Sequence, residues 1–202
     1  MLLKYSKYLK YLISFRFIKL ISYICAKHIQ TERKESHKHR YKYYYSLQFI
    51  YGTINQFLLI SVTGLLLNIL PQIIITTISF ISLRLFSGGL HFDNYTKCTY
   101  FSLLTFTIFG LLAKYIILSH LITTIIYLLI YFIIFIYAPV EHPNRLLNNS
   151  EKTRFKYIAL LILTGLYLTT NLTSNIIITN SITFGILLAG LITLPVVNKL
   201  NN

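Results

Sequence analysis

Leu65-Leu66-Leu67-Asn68-Ile69-Leu70-Pro71-Gln72-Ile73 interrupts an apolar region, Leu47–Leu85, that carries no charged residue before Arg84. The region is far longer than the about 20 residues one membrane-spanning helix needs. Asn68 and Pro71 supply a break near its middle. Proline lacks a backbone donor and favours an extended residue before it. The expected result is a helical hairpin, Leu47–Leu67 out and Leu70–Leu85 back.

Two more apolar pairs follow. Tyr100–Leu118 and Leu121–Tyr137 meet at Ser119-His120, and Tyr157–Leu172 pairs with Ile176–Val197. The chain is 55% hydrophobic with a mean hydropathy of +0.62, too apolar for an ordinary soluble domain. The fold class expected is therefore all-α: a polytopic membrane protein of six spans in three hairpins. Two segments divide it, a basic segment 1–46 and a membrane domain 47–202.

Residues 1–46 differ in character. Lys4, Lys7, Lys10, Arg16 and Lys19 interrupt Leu2, Tyr5, Leu9, Leu12, Phe15 and Ile18, leaving no charge-free window long enough to span. This pattern predicts one or two amphipathic helices in the membrane surface, and it argues against a cleaved signal peptide. Lys27 to Lys42 then reads as a solvated cytoplasmic collar. Cys25, His28, His37 and His39 fit no standard zinc spacing, so no metal site is expected.

Charge orients the chain. The net charge is +14 on 19 Lys and Arg. With the N-terminus in the cytoplasm, every one of these except Lys114 falls on the inner side, as the positive-inside rule requires. Both termini are then cytoplasmic, and so is the connection between the second and third spans. Basic residues beside spans suit anionic lipid of the inner leaflet; a nucleic-acid partner is not expected.

That connection carries the chemistry-bearing residues: Arg84-Leu-Phe-Ser-Gly-Gly-Leu-His-Phe-Asp-Asn-Tyr-Thr-Lys-Cys98. A cysteine attacks as thiolate, and a nearby imidazole can take its proton. His91 and Cys98 are seven residues apart. On an unbroken helix that is about 10.5 Å along the axis, too far for proton transfer. Gly88-Gly89 and Asp93-Asn94 weaken a helix there, so a break is expected between Gly88 and Thr96. Amides near Ser87, Gly88 and Gly89 are candidate oxyanion donors. Arg84 is either the snorkelling end of a span or a grip on a carboxylate.

Arg84-x3-Gly88-Gly89-x-His91-x6-Cys98 resembles the signature of the AgrB (accessory gene regulator B) family of membrane cysteine endopeptidases. Ala138-Pro139-Val140-Glu141-His142-Pro143-Asn144-Arg145 is a second match, and Ile192-Thr193-Leu194-Pro195 a third. The chain departs from the family pattern at Leu146-Leu147, where many members carry proline. The resemblance implies an enzyme of a bacterial cell membrane, working at the cytoplasmic face without a cofactor. Its partner would be a quorum-sensing propeptide with an amphipathic leader and an acidic tail. His91 and Cys98 would be catalytic. Cys98 would take the acyl group as the tail leaves, and an internal cysteine or serine of the peptide would close a thiolactone or lactone ring. Arg84, Arg145, Lys152 and Arg154 are the candidate substrate-binding cations. A homo-oligomer is compatible with all of this.

Two readings without covalent chemistry compete. One is a small transporter, with Asn55, Gln56, Asn171, Asn175 and Asn180 lining a polar path, although no span carries a coupling carboxylate. The other is a scaffold that recruits a peptide without cutting it. Both would survive loss of the Cys98 thiol.

Overall fold

The computed structural model describes residues 15–34, 36–89, 95–141 and 147–195. Among them run α1 (Phe15–Glu32), α2 (His37–Leu66), α3 (Leu70–Ser87), α4 (Tyr95–Tyr115), α5 (His120–Tyr137), α6 (Asn149–Leu172) and α7 (Ile176–Thr193). The helices α2 to α7 are each long and apolar enough to cross a membrane. The expected all-α fold with six spans is present.

The first hairpin turns where the sequence places it, by a nameable device. Asn68 adopts a left-handed φ of 54°. Its N–H donates to the Leu65 carbonyl, and the Ile69 N–H reaches back to Gly64. This pair of bonds closes a helix end whose last carbonyls would otherwise be orphaned. Pro71 then sits in the first turn of α3, where its missing N–H costs nothing. The other hairpins begin on capped helices. The Ser119 hydroxyl accepts from the Ile122 N–H of α5, and the Asn175 side chain accepts from Ile177 and Ile178 of α7.

Helix bounds differ from expectation by four residues or more at four places. α2 starts at His37 rather than Leu47. Lys, Arg and Tyr are all tolerated in a helix, and no proline or glycine intervenes, so charge alone does not end it. α4 starts at Tyr95 rather than Tyr100, taking Cys98 into the helix. α6 starts at Asn149, where the Glu151 carboxylate accepts the Asn148 N–H in a reciprocal cap. α7 stops at Thr193, two residues before Pro195.

The described chain forms two compact units: Met1–Leu59 with Asp93–Leu103, and Ile60–Phe92 with Leu104–Asn202. In the first, α1 buries one face. Ile18, Ser22 and Ala26, one turn apart, are buried, while Phe17, Leu20 and Ile24 face outward. In the second, α7 is the central helix, packed on α3, α5 and α6. Small residues let the backbones approach, as is usual where lipid removes the hydrophobic drive for helix association. A Cβ on Gly185 would lie 2.5 Å from the Thr76 carbonyl oxygen and 2.9 Å from Ser79 Cβ, and one on Gly190 would strike Ile130. Thr76 Oγ1 donates to the Ser181 carbonyl across the same contact at 3.1 Å.

This packing makes a testable contrast. Gly165 on α6 has nothing within 4 Å of a built Cβ. Gly185→Leu should lower the thermal midpoint in detergent by an amount equal to about 1–3 kcal/mol or more, the usual cost of overpacking. Gly165→Leu should shift it little. Equal shifts would contradict the central place of α7.

Candidate active site

The three separated sequence motifs meet at the glycine pair in the second unit. α3 ends at Ser87, and the Gly88 N–H donates to the Arg84 carbonyl at 3.0 Å. Gly88 (φ 72°) then pairs with Val140 as an isolated parallel bridge, in which the Val140 N–H donates to the Ser87 carbonyl at 2.9 Å. A Cβ on Gly88 would collide with the Val140 carbonyl oxygen. Gly89 (φ 123°) lies against the C-terminal turn of α7, where a Cβ would sit 2.8 Å from the Ile192 carbonyl oxygen. Both positions combine a left-handed φ with backbone contact, and only glycine meets both demands. The run Ala138-Pro139-Val140 and the end of α7 are thus the walls of the joint that terminates α3.

The Gly88 amide, one of the candidate oxyanion donors, donates to the Arg84 carbonyl. Ser87 is fully buried, and its hydroxyl leans toward the Gly88 carbonyl. The visible role of the pair is to end a helix and fix its exit. The Arg84 guanidinium lies 5.6 Å over the Phe80 ring, with its Nη1 3.0 Å from a Cβ built on Gly89.

Cys98 belongs to the first unit. It stands in the first turn of α4, half-buried, between exposed Lys97 and buried Thr99. The thiol thus lies in the opening turn of the described helix, three residues after Tyr95. The turn is anchored by its opening residue. The Tyr95 hydroxyl donates to the Gly52 carbonyl of α2 at 3.0 Å and accepts from Asn55 Nδ2 at 3.1 Å. Thr99 Oγ1 returns to the Tyr95 carbonyl at 2.9 Å. His91, Asp93, His142 and Arg145 lie outside the described residues. α3 ends at Ser87, and Gly88 and Gly89 lie outside it.

The second cysteine has a different setting. Cys25 Sγ is 3.5 Å from the Tyr51 hydroxyl, linking α1 to α2, and His39 Nδ1 contacts the Ser36 hydroxyl at 3.2 Å. In the 138–156 region the Glu141 carboxylate accepts the Leu147 N–H and pairs with Lys152 Nζ, each at 2.9 Å. The amide bond first, and then the lysine, hold this carboxyl below the ordinary carboxylate range. Arg154, one turn up from Glu151, is exposed.

Four of the five polar residues considered for a transport path make local structural bonds. Asn180 is buried and donates to the Ile116 carbonyl at 2.6 Å, closing the end of α4. Asn171 faces His120, Asn175 caps α7 and Asn55 holds Tyr95. Sequence reading missed Tyr95 and Gly52 as parts of the setting of Cys98 in the first unit. The one available signal was Gly52, an isolated glycine in a long helical run, which often marks close packing.

Six apolar spans and a cysteine-bearing turn define a multi-pass helical membrane protein. Residues 8–194 match the family model of Accessory gene regulator B, and the chain belongs to that family. It is 27% identical over 172 residues to an AgrB-like protein 2 of Clostridium perfringens (strain 13, type A), covering 81% of this chain and 80% of the relative. It is 28% identical over 154 residues to an AgrB-like protein of Clostridium perfringens (strain SM101, type A), covering 72% and 70%. No solved structure matches the chain significantly. Membership supports a part in processing the autoinducing peptide of an accessory gene regulator system.

Proposed function

We propose that this protein is an integral-membrane cysteine endopeptidase that removes the C-terminal tail of a quorum-sensing propeptide. The observation that carries the reading is the coincidence of family membership with Cys98 in a helix-opening turn, directly after the segment that holds His91. In this mechanism His91 takes the proton of the Cys98 thiol. The sulfur attacks the scissile carbonyl, the C–N bond breaks, and the proton passes to the leaving amine of the tail. An internal cysteine or serine of the peptide then attacks the thioester. A thiolactone or lactone ring forms and the Cys98 thiol is restored. Release from the enzyme by ring closure rather than water is favoured at a membrane boundary, where water is scarce.

The glycine pair serves by ending α3 at Ser87, ahead of the segment that carries His91. Arg84, Arg145, Lys152 and Arg154 suit an acidic tail. Lys152 already holds Glu141, and a substrate carboxylate would compete for it. Segment 1–46 is the basic interfacial part and residues 47–202 the membrane domain with the catalytic stretch 84–98, and anionic lipid of the inner leaflet suits the basic residues of both. Purified enzyme in liposomes with a synthetic propeptide should release the free tail and a cyclic product. Intact propeptide after prolonged incubation would refute the reading.

Orientation is proposed on the charge bias, with both termini and the Cys98 turn cytoplasmic. In a background with both Cys25 and Cys98 replaced by alanine, single cysteines at Ser119 and Ser174 should label from outside whole cells, and one at Asn148 should not. Outside labelling at Asn148 would overturn the topology.

A further inference from the structure

We propose that Tyr95 is a positioning residue for Cys98, a hydrogen-bonded pin that fixes the first turn of α4 against α2. This rests on the reading of Cys98 as the nucleophile.

Tyr95 is the first residue of α4, and helix ends are the parts most prone to fray. Its phenol is held from both sides, donating to the Gly52 carbonyl and accepting from the Asn55 amide. The ring fills a notch that exists because residue 52 has no side chain. A Cβ on Gly52 would lie 2.8 Å from Tyr95 Cε2 and 3.4 Å from Cδ2. Gly52 is buried at this contact. The glycine lies mid-helix, where it costs about 1 kcal/mol relative to alanine, and the seated ring is what that cost accommodates.

Residues three apart on a helix are neighbours on one face. Tyr95 and Cys98 stand in that relation, so the sulfur takes its direction from the ring's seat. The Thr99 hydroxyl bond to the Tyr95 carbonyl closes the turn around both. A thiol that must meet an imidazole at hydrogen-bond distance tolerates little error, and misplacement of about 1 Å can cost about 10²-fold. Cys25, partnered by Tyr51 through its own sulfur, has no such pin.

The test uses Tyr95→Phe, which keeps the ring and loses both hydrogen bonds, and Gly52→Val, which evicts the ring and leaves the phenol chemically intact. Both are made in a Cys25→Ala chain, where Cys98 is the single thiol. Two readouts are taken on the full-length protein in liposomes: kcat and KM for tail release, and the rate of Cys98 alkylation by a neutral maleimide without substrate. Both variants should lower kcat about tenfold or more with KM nearly unchanged, and both should alkylate several-fold faster as the turn loosens. Tyr100→Phe, an exposed tyrosine on the same helix, should change neither. Wild-type kcat and alkylation in Tyr95→Phe would overturn the pin, even if Gly52→Val fails to insert. A loss of activity with KM raised and kcat retained would also overturn it, since that is a binding role. If Cys98→Ala proved active, the nucleophile reading would fall, while the alkylation arm would still decide whether Tyr95 holds the turn.

Discussion

Cys98→Ala is expected to abolish both tail release and ring formation, a loss of at least about 10⁴-fold, as when the nucleophile of a covalent hydrolase is removed. The size follows from what the sulfur does. It turns one difficult amide cleavage into two easier acyl transfers, and it stores the acyl group as a thioester that an internal nucleophile can attack. Without it, water would have to attack the amide directly and the product would be linear. Membrane insertion and the thermal midpoint should be little changed, because Cys98 is half-buried in the first turn of α4 and alanine is a good helix former. Release rates measured on purified protein in liposomes check this. A transporter or a recruiting scaffold would be indifferent to the same change.

His91→Ala is expected to reduce tail release by about 10²–10⁴-fold, the usual contribution of a positioned general base. The remaining activity should climb with pH, because hydroxide can take the thiol proton that the imidazole no longer takes. The sign separates a base from a binding residue: loss of a binding cation would raise KM and give no recovery in alkali. Cys25→Ala should leave the rate nearly unchanged, since Cys25 belongs to the α1–α2 contact with Tyr51. A pH-rate profile of the two variants beside the parent enzyme decides it. A His91→Ala enzyme with the parent rate at neutral pH would remove the proposed base.

The spans were legible because their signals are local. Asn68 and Pro71 act within a few residues of the turn they make, and the structure shows both at work, Asn68 in a left-handed cap and Pro71 in the first turn of α3. The starts of α2 and α4 were not legible, because basic and polar residues at 37–46 and 95–99 match a loop in composition while remaining compatible with a helix. The convergence at the glycine pair was hidden for another reason. Gly88 meets Val140 and Gly89 meets Ile192, contacts that no hydrophobic period encodes. The sequence marks Gly88 and Gly89 as helix-weakening, and the fold shows that their freedom is used to pass two walls of backbone. Tyr95 was hidden likewise, since its partners Gly52 and Asn55 lie on another helix. The candidate nucleophile itself stood out because cysteine is rare here, two in the whole chain.

Trapping a covalent peptide on Cys98 tests the proposed chemistry most directly. Purified enzyme is mixed with a synthetic propeptide whose internal cysteine or serine is replaced by alanine, so that no ring can form, and is quenched in acid. Mass spectrometry should find the peptide without its tail, joined to Cys98 through a thioester that hydroxylamine releases. Normal cyclic product from a Cys98→Ala enzyme given the unmodified propeptide would contradict it.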